Sequence, residues 1–227
     1  MRAWILLAAA LLPVRGEDPF AAQREMMVRE QIQARGVRNP DVLAAMRQVP
    51  RHLFVPEQVR SLAYRDHPLP IGAGQTISQP YIVALMSELL QVRKSDRVLE
   101  IGTGSGYHAA VLARLAKHVY SMELVESLAE SARKTLIAGG YTNVTVRQGD
   151  GYLGWPEEAP FDRIILTAAP PEVPPALIDQ LRPGGILVAP VGSGAFGQDL
   201  IVIEKAADGK LRRRSVIPVM FVPMVKK

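Results

Sequence analysis

Glycine and acidic residues lie close together after an apolar segment that predicts a strand. The segment Val98–Tyr107 joins this strand to a glycine-rich turn and then to a helix, with glycines at 102, 104 and 106. Glycines at such a turn allow a ligand to lie directly against the main chain. A dinucleotide site has the pattern G-x-G-x-x-G, whereas Tyr107 occupies the place of the third glycine here. The turn therefore predicts a nucleotide-type ligand other than a dinucleotide, which disfavours a dehydrogenase.

Three carboxylates are expected along the same edge of the predicted sheet. Glu100 lies inside the turn, where it would repel a pyrophosphate but suits a ligand with positive charge or hydroxyl donors, and S-adenosylmethionine has both. Glu123 ends the next strand about 20 residues later, where it can accept hydrogen bonds from both ribose hydroxyls. Asp150, followed by Gly151, ends the third strand and could receive the adenine amino group. Any one of them could merely cap a helix, but three together favour a site for S-adenosylmethionine.

The methyl acceptor is restricted by what the sequence lacks. Methylation of base amino groups is typical of a D-P-P-Y or N-P-P-Y pattern, whereas the residues after the fourth strand are Thr167-Ala168-Ala169-Pro170. Carbon-5 methylation of cytosine needs a cysteine, and the chain has none, which also excludes disulfides and thiolate metal sites. The four histidines form no H-x-x-x-H pair, so no metal site is predicted. Oxygen acceptors that are already anionic remain, and they need no base.

Ser78 lies in a block of small polar residues ahead of a predicted helix at 82–90. Because Pro80 follows closely, the Ser78 hydroxyl could cap that helix, or it could contact a ligand. A nucleophilic role is disfavoured because the block contains no G-x-S-x-G pattern. The residues alone leave the first two roles open.

Six segments together resemble the protein-L-isoaspartate O-methyltransferases. The segments are Gly74–Tyr81, Val98–Tyr107, Gly149–Gly151, Pro160–Asp162, Thr167–Pro170 and Phe221–Pro223. The resemblance covers roughly residues 23 to 225. It implies transfer of a methyl group from S-adenosylmethionine to the free α-carboxylate of L-isoaspartyl residues, and less efficiently D-aspartyl residues, in damaged proteins and peptides. Another S-adenosylmethionine-dependent O-methyltransferase, acting on a small carboxylate or on RNA, is the alternative.

The resemblance also implies site residues. It places the active-site serine at Ser78, and we expect Thr76 and Ser78 to hold the substrate carboxylate by hydrogen bonds. Backbone groups near Val219 and Val222 are expected to hold the substrate peptide in an extended form. The expected cofactor-binding residues are Glu100, Gly102, Thr103, Gly104, Gly106, Glu123, Leu124, Asp150, Gly151 and Thr167.

Alternating strand and helix patterns must position these residues. Predicted strands lie at 97–101, 118–123, 144–148, 163–166 and 186–191, and predicted helices lie at 107–116, 125–138 and 173–181. Such alternation implies a mostly parallel sheet with helices on both faces. Segments 200–205 and 216–224 are expected to close it as an antiparallel pair. With predicted helices at 20–35 and 40–48 and an irregular stretch at 50–70, the predicted fold is α/β: a Rossmann-like class I methyltransferase with an N-terminal helical extension.

Length and charge are consistent with one such domain. The chain has 227 residues, of which 48% are hydrophobic, so we expect one domain at 17–227, divided into a helical and substrate-site segment at 17–80 and the core at 81–227. The net charge of +5 is largely local, in Arg212–Arg214 and Lys226–Lys227. The sequence shows no stacking aromatic residues in a basic groove, which disfavours a protein that binds nucleic acid. A monomer is expected.

Residues 1–16 predict either a leader or an N-terminal extension. Met1-Arg2, the apolar run Ala3–Leu12 and the small residue Gly16 resemble a short signal peptide. The run is too short to span a bilayer, so no membrane association is expected after its removal. Since S-adenosylmethionine is made in the cytoplasm, the cofactor and the family favour that compartment. The leader-like residues leave a periplasmic or secreted location open.

Overall fold

The alternating patterns form a seven-stranded, mostly parallel sheet in the computed structural model, which describes residues 18–193 and 197–226. The helices are α1 (Ala21–Met26), α2 (Pro40–Gln48), α3 (Pro80–Leu90), α4 (Tyr107–Ala113), α5 (Glu126–Ala138) and α6 (Pro175–Gln180). The strands are β1 (Leu69–Gly72), β2 (Gln75–Ile77), β3 (Arg97–Ile101), β4 (His118–Glu123), β5 (Val144–Gln148), β6 (Phe161–Leu166), β7 (Leu181–Ser193), β8 (Gly197–Lys205) and β9 (Leu211–Val219).

The strand order β5-β4-β3-β6-β7-β8-β9 determines where a ligand can bind. The first five strands in this order are parallel, and β8 and β9 are antiparallel. The chain runs outward from β3 through β4 to β5 and then returns to β6 on the other side of β3. In open sheets of this kind the ligand crevice lies at the carboxyl ends of the strands, where the order reverses. Here that point is between β3 and β6.

Helices cover both faces of the sheet, and the strand pattern reflects this. Val98 belongs to the apolar core on one face, together with α3, α4 and the N-terminal helices. Leu99, the next residue, belongs to the core on the other face, together with Leu177 of α6. Successive side chains of a strand point to opposite faces, so a strand buried on both sides is almost continuously apolar. This is why β3 was recognisable in the sequence.

The N-terminal helical extension packs on the first of these faces. Helix α1 continues without a break through a π-helical segment, Met27–Ile32, and a 3-10 turn, Gln33–Arg35. Helix α2 begins at Pro40, and the side chain of Asn39 caps it by accepting hydrogen bonds from two backbone N–H groups. The stretch predicted to be irregular contains two 3-10 helices, Arg51–Phe54 and Glu57–Leu62.

Two sequence predictions in the sheet need correction. The segment predicted at 216–224 pairs instead at Leu211–Val219, because the exposed edge strand carries Arg212–Arg214 and therefore lacks an apolar pattern. The strand predicted at 186–191 begins earlier, at Leu181, which pairs with Phe161 before an irregularity. The antiparallel hairpin of β1 and β2 was not predicted at all.

The predicted leader at 1–16 lies outside the described residues. Within residues 18–193 and 197–226, no helix combines the length and the apolar composition that crossing a membrane requires.

Candidate functional site

A cleft opens at the carboxyl ends of β3, β4 and β6, where the strand order reverses. It encloses about 880 Å³ of space, part of which is open to solvent. Its walls are formed by residues 75–78, 101–105, 122–125, 167–168 and 222–225, together with Val83, Tyr107, His108, Gly149 and Gly151. Segments that are far apart in the chain, 75–78 and 222–225, therefore meet near the predicted glycine turn.

The glycine turn is held rigidly at the bottom of this cleft. The backbone N–H groups of Gly102 and Thr103 both donate to the Met122 carbonyl, at 2.8 and 3.1 Å. Gly102 has a φ of +100°, and a Cβ atom placed on it would lie 2.3 Å from the Thr167 hydroxyl oxygen. That hydroxyl donates to the carbonyl of Gly102 at 2.5 Å. Only glycine fits position 102, and Thr167 lies against it as a cleft-lining residue.

Glu123 is the cleft residue best placed to receive hydroxyl donors. One of its carboxylate oxygens accepts from the N–H of Gly104 at 2.8 Å, and the other accepts from the N–H of Val125 at 3.0 Å. Each carboxylate oxygen has a second lone pair, so both can accept a further hydrogen bond. Glu123 is 7% exposed as a residue, and its neighbour Leu124 also lines the cleft.

Glu100 lies behind the turn and does not line the cleft. It is fully buried opposite Ser121 of β4, and the Ser121 hydroxyl donates to it. Because Ser121 gives its one hydroxyl proton to Glu100, it must accept from the Thr103 hydroxyl, whose oxygen lies 2.6 Å away. Burial raises the pKa of Glu100 to about 8; the Ser121 hydrogen bond partly opposes this, and the nearby charge of Glu123 adds to it. A protonated carboxyl group therefore supports the turn from below at neutral pH.

Two other predicted cofactor residues, Asp150 and Gly106, do not line the cleft. Gly149 and Gly151 line it, whereas Asp150 between them does not. The Asp150 carboxylate accepts a hydrogen bond from the N–H of Tyr152 at 2.9 Å, which caps a short 3-10 helix. Gly106 likewise lies outside the lining, at the start of α4.

Ser78 and Thr76 line the cleft at the end of the β1–β2 hairpin. The residue at the N-terminal cap of α3 is Gln79, and no side chain caps that helix, so the capping role left open for Ser78 is wrong. Among the described residues, the Ser78 hydroxyl has no hydrogen-bond partner. It is half-buried and available to a ligand.

The two valines expected near the substrate are separated. Val222 lines the cleft, and its carbonyl accepts from the N–H of Ala169 at 2.9 Å. Met224 donates back to the Ala169 carbonyl at 2.8 Å, so this segment is fixed beside the end of β6. Val219 ends β9, pairs with Gln198 and does not line the cleft.

A histidine that the sequence analysis did not select also lines the cleft. His108 is 6% exposed, and its Nε2 atom lies 3.0 Å from the Ser87 hydroxyl of α3. Burial lowers the pKa of His108 to about 3, so the ring is neutral at physiological pH. The sequence did contain an indication of this pair, because Ser87 is a polar residue at a buried position of an apolar helix.

The cleft is poor in charge. Among its described lining residues there is no lysine or arginine, and Glu123 is the one carboxylate. Residues 18–193 and 197–226 also contain no group of three histidine, aspartate or glutamate side chains suited to a metal ion. The arrangement can therefore hold a ligand by backbone groups, hydroxyls and one carboxylate.

Comparison with known proteins gives the family. The sequence model of the protein-L-isoaspartate(D-aspartate) O-methyltransferases matches residues 22–227. The chain is 59% identical to the protein-L-isoaspartate O-methyltransferase of Synechococcus sp. strain JA-2-3B'a(2-13), over 94% of this chain and 89% of that protein. The chain belongs to this family. It is also 55% identical to protein-L-isoaspartate O-methyltransferase 1 of Nitrosospira multiformis, over 97% of this chain and 94% of the relative.

Solved structures agree with the family assignment. A protein-L-isoaspartate O-methyltransferase superimposes with a TM-score of 0.81 and 31% identity, covering 88% of this chain and 65% of the other. A Plasmodium falciparum protein assigned to the same activity, solved with S-adenosyl-L-homocysteine, gives a TM-score of 0.78 and 25% identity, with coverages of 90% and 99%. The predicted family, Rossmann-like fold and S-adenosylmethionine-dependent repair activity on isoaspartyl proteins are confirmed.

Proposed function

We propose that the cleft performs this methyl transfer with the glycine turn and Glu123 on the cofactor side and with Ser78 and Thr76 on the acceptor side. The observation that carries the proposal is the position of two hydroxyl side chains in a cleft that has a rigid glycine turn and no lysine or arginine among its described lining residues. S-adenosylmethionine, when bound, supplies a methyl group on a sulfonium ion, which a carboxylate oxygen can attack without first losing a proton.

The residues fit the cofactor in one orientation. Glu123, with free lone pairs on both oxygens, would hold the ribose hydroxyls, and Leu124 would lie beside the adenosine. Gly149 and Gly151 would lie near the base, with Asp150 between them. The methionine part would then extend past the turn of Gly102–Gly104 towards the β1–β2 hairpin. Glu100 would act through Thr103 rather than by contact.

The absence of lysine and arginine among the described lining residues suits a carboxylate nucleophile. A guanidinium or ammonium group paired with the carboxylate would make its oxygen less nucleophilic. Such a group would also repel the sulfonium ion. The uncharged hydroxyl groups of Ser78 and Thr76 can orient the carboxylate by hydrogen bonds without placing a positive charge beside it. Positioning of this kind can contribute about 7 to 11 kcal/mol to catalysis, and exclusion of water adds to it because the charges neutralise each other in the transition state.

A transfer assay tests the proposed function. The chain is incubated with S-adenosylmethionine labelled on the methyl group and with two peptides that differ only in containing an isoaspartyl or a normal aspartyl residue. We expect label in the isoaspartyl peptide alone, as a base-labile ester. Equal labelling of both peptides, or labelling only of RNA or of a small carboxylate, would overturn the assignment of the acceptor.

We also propose that residues 17–227 act as one monomeric domain in the cytoplasm, without binding nucleic acid or membranes. The core shared by Val28, Met46 and Val98 supports a single unit, with 17–80 contributing the hairpin and 81–227 the sheet. Cofactor supply supports the compartment. Light scattering after size exclusion checks the monomer, a salt titration with RNA checks nucleic-acid binding, and vesicle flotation checks membrane binding. N-terminal sequencing checks the compartment, since a mature start near residue 17 would indicate export.

A further inference from the structure

The ring of His108 has one nitrogen whose role no contact within the protein explains. His108 lies in the first turn of α4, directly after Tyr107, and lines the cleft. Its Nε2 atom contacts the Ser87 hydroxyl, whereas its Nδ1 atom is buried and has no hydrogen-bond partner among the described residues. A buried polar atom without a partner is costly and points to a missing ligand or water.

The hydrogen bonds of Ser87 determine which nitrogen carries the proton. The Ser87 hydroxyl lies 2.8 Å from the Val83 carbonyl, which can only accept, so Ser87 donates its single proton there. Ser87 must then accept from His108, which places the proton of the neutral ring on Nε2. The unpartnered Nδ1 atom is therefore unprotonated, and its lone pair requires a hydrogen-bond donor.

No described residue donates to this nitrogen atom. The neighbouring lining residues Val83 and Tyr107 do not supply one: Val83 has no polar side-chain atom, and the Tyr107 hydroxyl points to the sulfur of Met46 at 3.8 Å. A neutral ring that cannot take up a proton near neutral pH does not suit an anion. It suits a ligand N–H group, and a cationic one most of all.

We propose that Nδ1 of His108 accepts a hydrogen bond from the α-ammonium group of the cofactor's methionine part. This inference rests on the proposed function, because the adenosine end is assigned there to Glu123 and Gly151, which leaves the methionine end for the side of the cleft that contains Ser78 and His108. The Ser87 hydroxyl is then a positioning group that fixes the tautomer of His108.

Calorimetry with three ligands tests the contact without any turnover. The ligands are S-adenosylhomocysteine, its analogue lacking the amino group, and methylthioadenosine, which lacks the whole amino-acid part. We expect His108→Phe to weaken binding of S-adenosylhomocysteine about tenfold, and to change binding of the other two less than about twofold. His118→Phe, at the opposite end of the sheet, is the matched control and should change none of them. Equal weakening of all three ligands would overturn the contact.

A second measurement uses the unmodified side chain, in case the phenylalanine variant does not fold. In the chain labelled with nitrogen-15 histidine, one unprotonated Nδ1 resonance should shift on addition of S-adenosylhomocysteine and not on addition of methylthioadenosine. Four histidines give a spectrum simple enough to assign. An Nδ1 resonance of His108 that is already protonated, or that ignores S-adenosylhomocysteine, would overturn the inference. If S-adenosylhomocysteine itself does not bind, the proposed cofactor site fails as well.

Discussion

The backbone N–H of Gly104 donates a 2.8 Å hydrogen bond to the carboxylate of Glu123. This contact joins the turn after β3 to the end of β4, and the N–H of Val125 fixes the other oxygen of the same carboxylate. The orientation of the carboxylate is therefore set by the protein before a ligand arrives. Little conformational freedom remains to be lost when ribose hydroxyls bind, which favours affinity.

Glu123→Ala should weaken S-adenosylhomocysteine binding by about 1 to 3 kcal/mol, because ribose hydroxyls would lose their acceptors. Glu123→Gln should lose as much, since an amide NH₂ must face the N–H of Gly104 or of Val125. Calorimetry measures both variants, with Glu126→Gln on the exposed start of α5 as the control. Unchanged affinity of Glu123→Gln would contradict the assigned role.

Ser78→Ala should lower the turnover of an isoaspartyl peptide about tenfold, the effect of removing one hydrogen bond to a charged group. Cofactor affinity and thermal stability should not change, because the hydroxyl caps no helix and has no partner among the described residues. Steady-state kinetics and a melting curve check this, with Ser127→Ala on the exposed face of α5 for comparison. Normal turnover would remove Ser78 from the acceptor site.

Glu100 should make the fold less stable as the pH rises. Its pKa is raised to about 8 in the folded protein, from an ordinary value of 4.5, so the folded state holds a proton that the unfolded state has released. The stabilising contribution is complete below pH 4.5 and is lost progressively up to about pH 8. Urea unfolding at several pH values should show that Glu100→Gln removes this downward slope relative to the unmodified chain. Parallel slopes would show that Glu100 is ionised in the folded protein.

Gly102→Ala should destabilise the fold more than a substitution at another glycine with positive φ. Both Gly102 and Gly140 have left-handed backbone angles, but only at Gly102 would the new methyl group collide with a side chain, that of Thr167. We expect Gly140→Ala to cost about 1 kcal/mol. Gly102→Ala should cost more and should also abolish cofactor binding. Melting curves and calorimetry compare the pair, and equal effects would contradict the role of the close contact.

The central strands could be predicted because burial on both faces leaves a visible pattern. The predicted bounds of β3, β4 and β5 agree with the structure, and β6 begins two residues earlier than predicted. The edge strand β9 was misplaced because backbone pairing, rather than burial, holds Arg212–Arg214 in the sheet. Local pattern carries no information about such pairing.

The site could be predicted where its residues come directly after strands that follow one another in the sequence. The glycine turn and Glu123 follow consecutive strands, and the structure places both in the cleft. The pairing of Ser87 with His108, and that of Glu100 with Ser121, joins residues that are 21 positions apart in the chain. Such contacts depend on how α3 packs against α4 and on strand register, which a single sequence does not specify.

The lack of lysine and arginine among the described cleft residues has a consequence for competition inside a cell. ATP contains the same adenosine as the cofactor and is abundant, so an adenosine pocket alone would fill with it. Here a triphosphate chain would follow the path assigned to the methionine part, through a cleft whose described lining residues include the Glu123 carboxylate and no lysine or arginine. Discrimination then comes from repulsion of the wrong nucleotide as much as from attraction of the right one. The protein can therefore bind its cofactor and still exclude an abundant compound that contains the same adenosine.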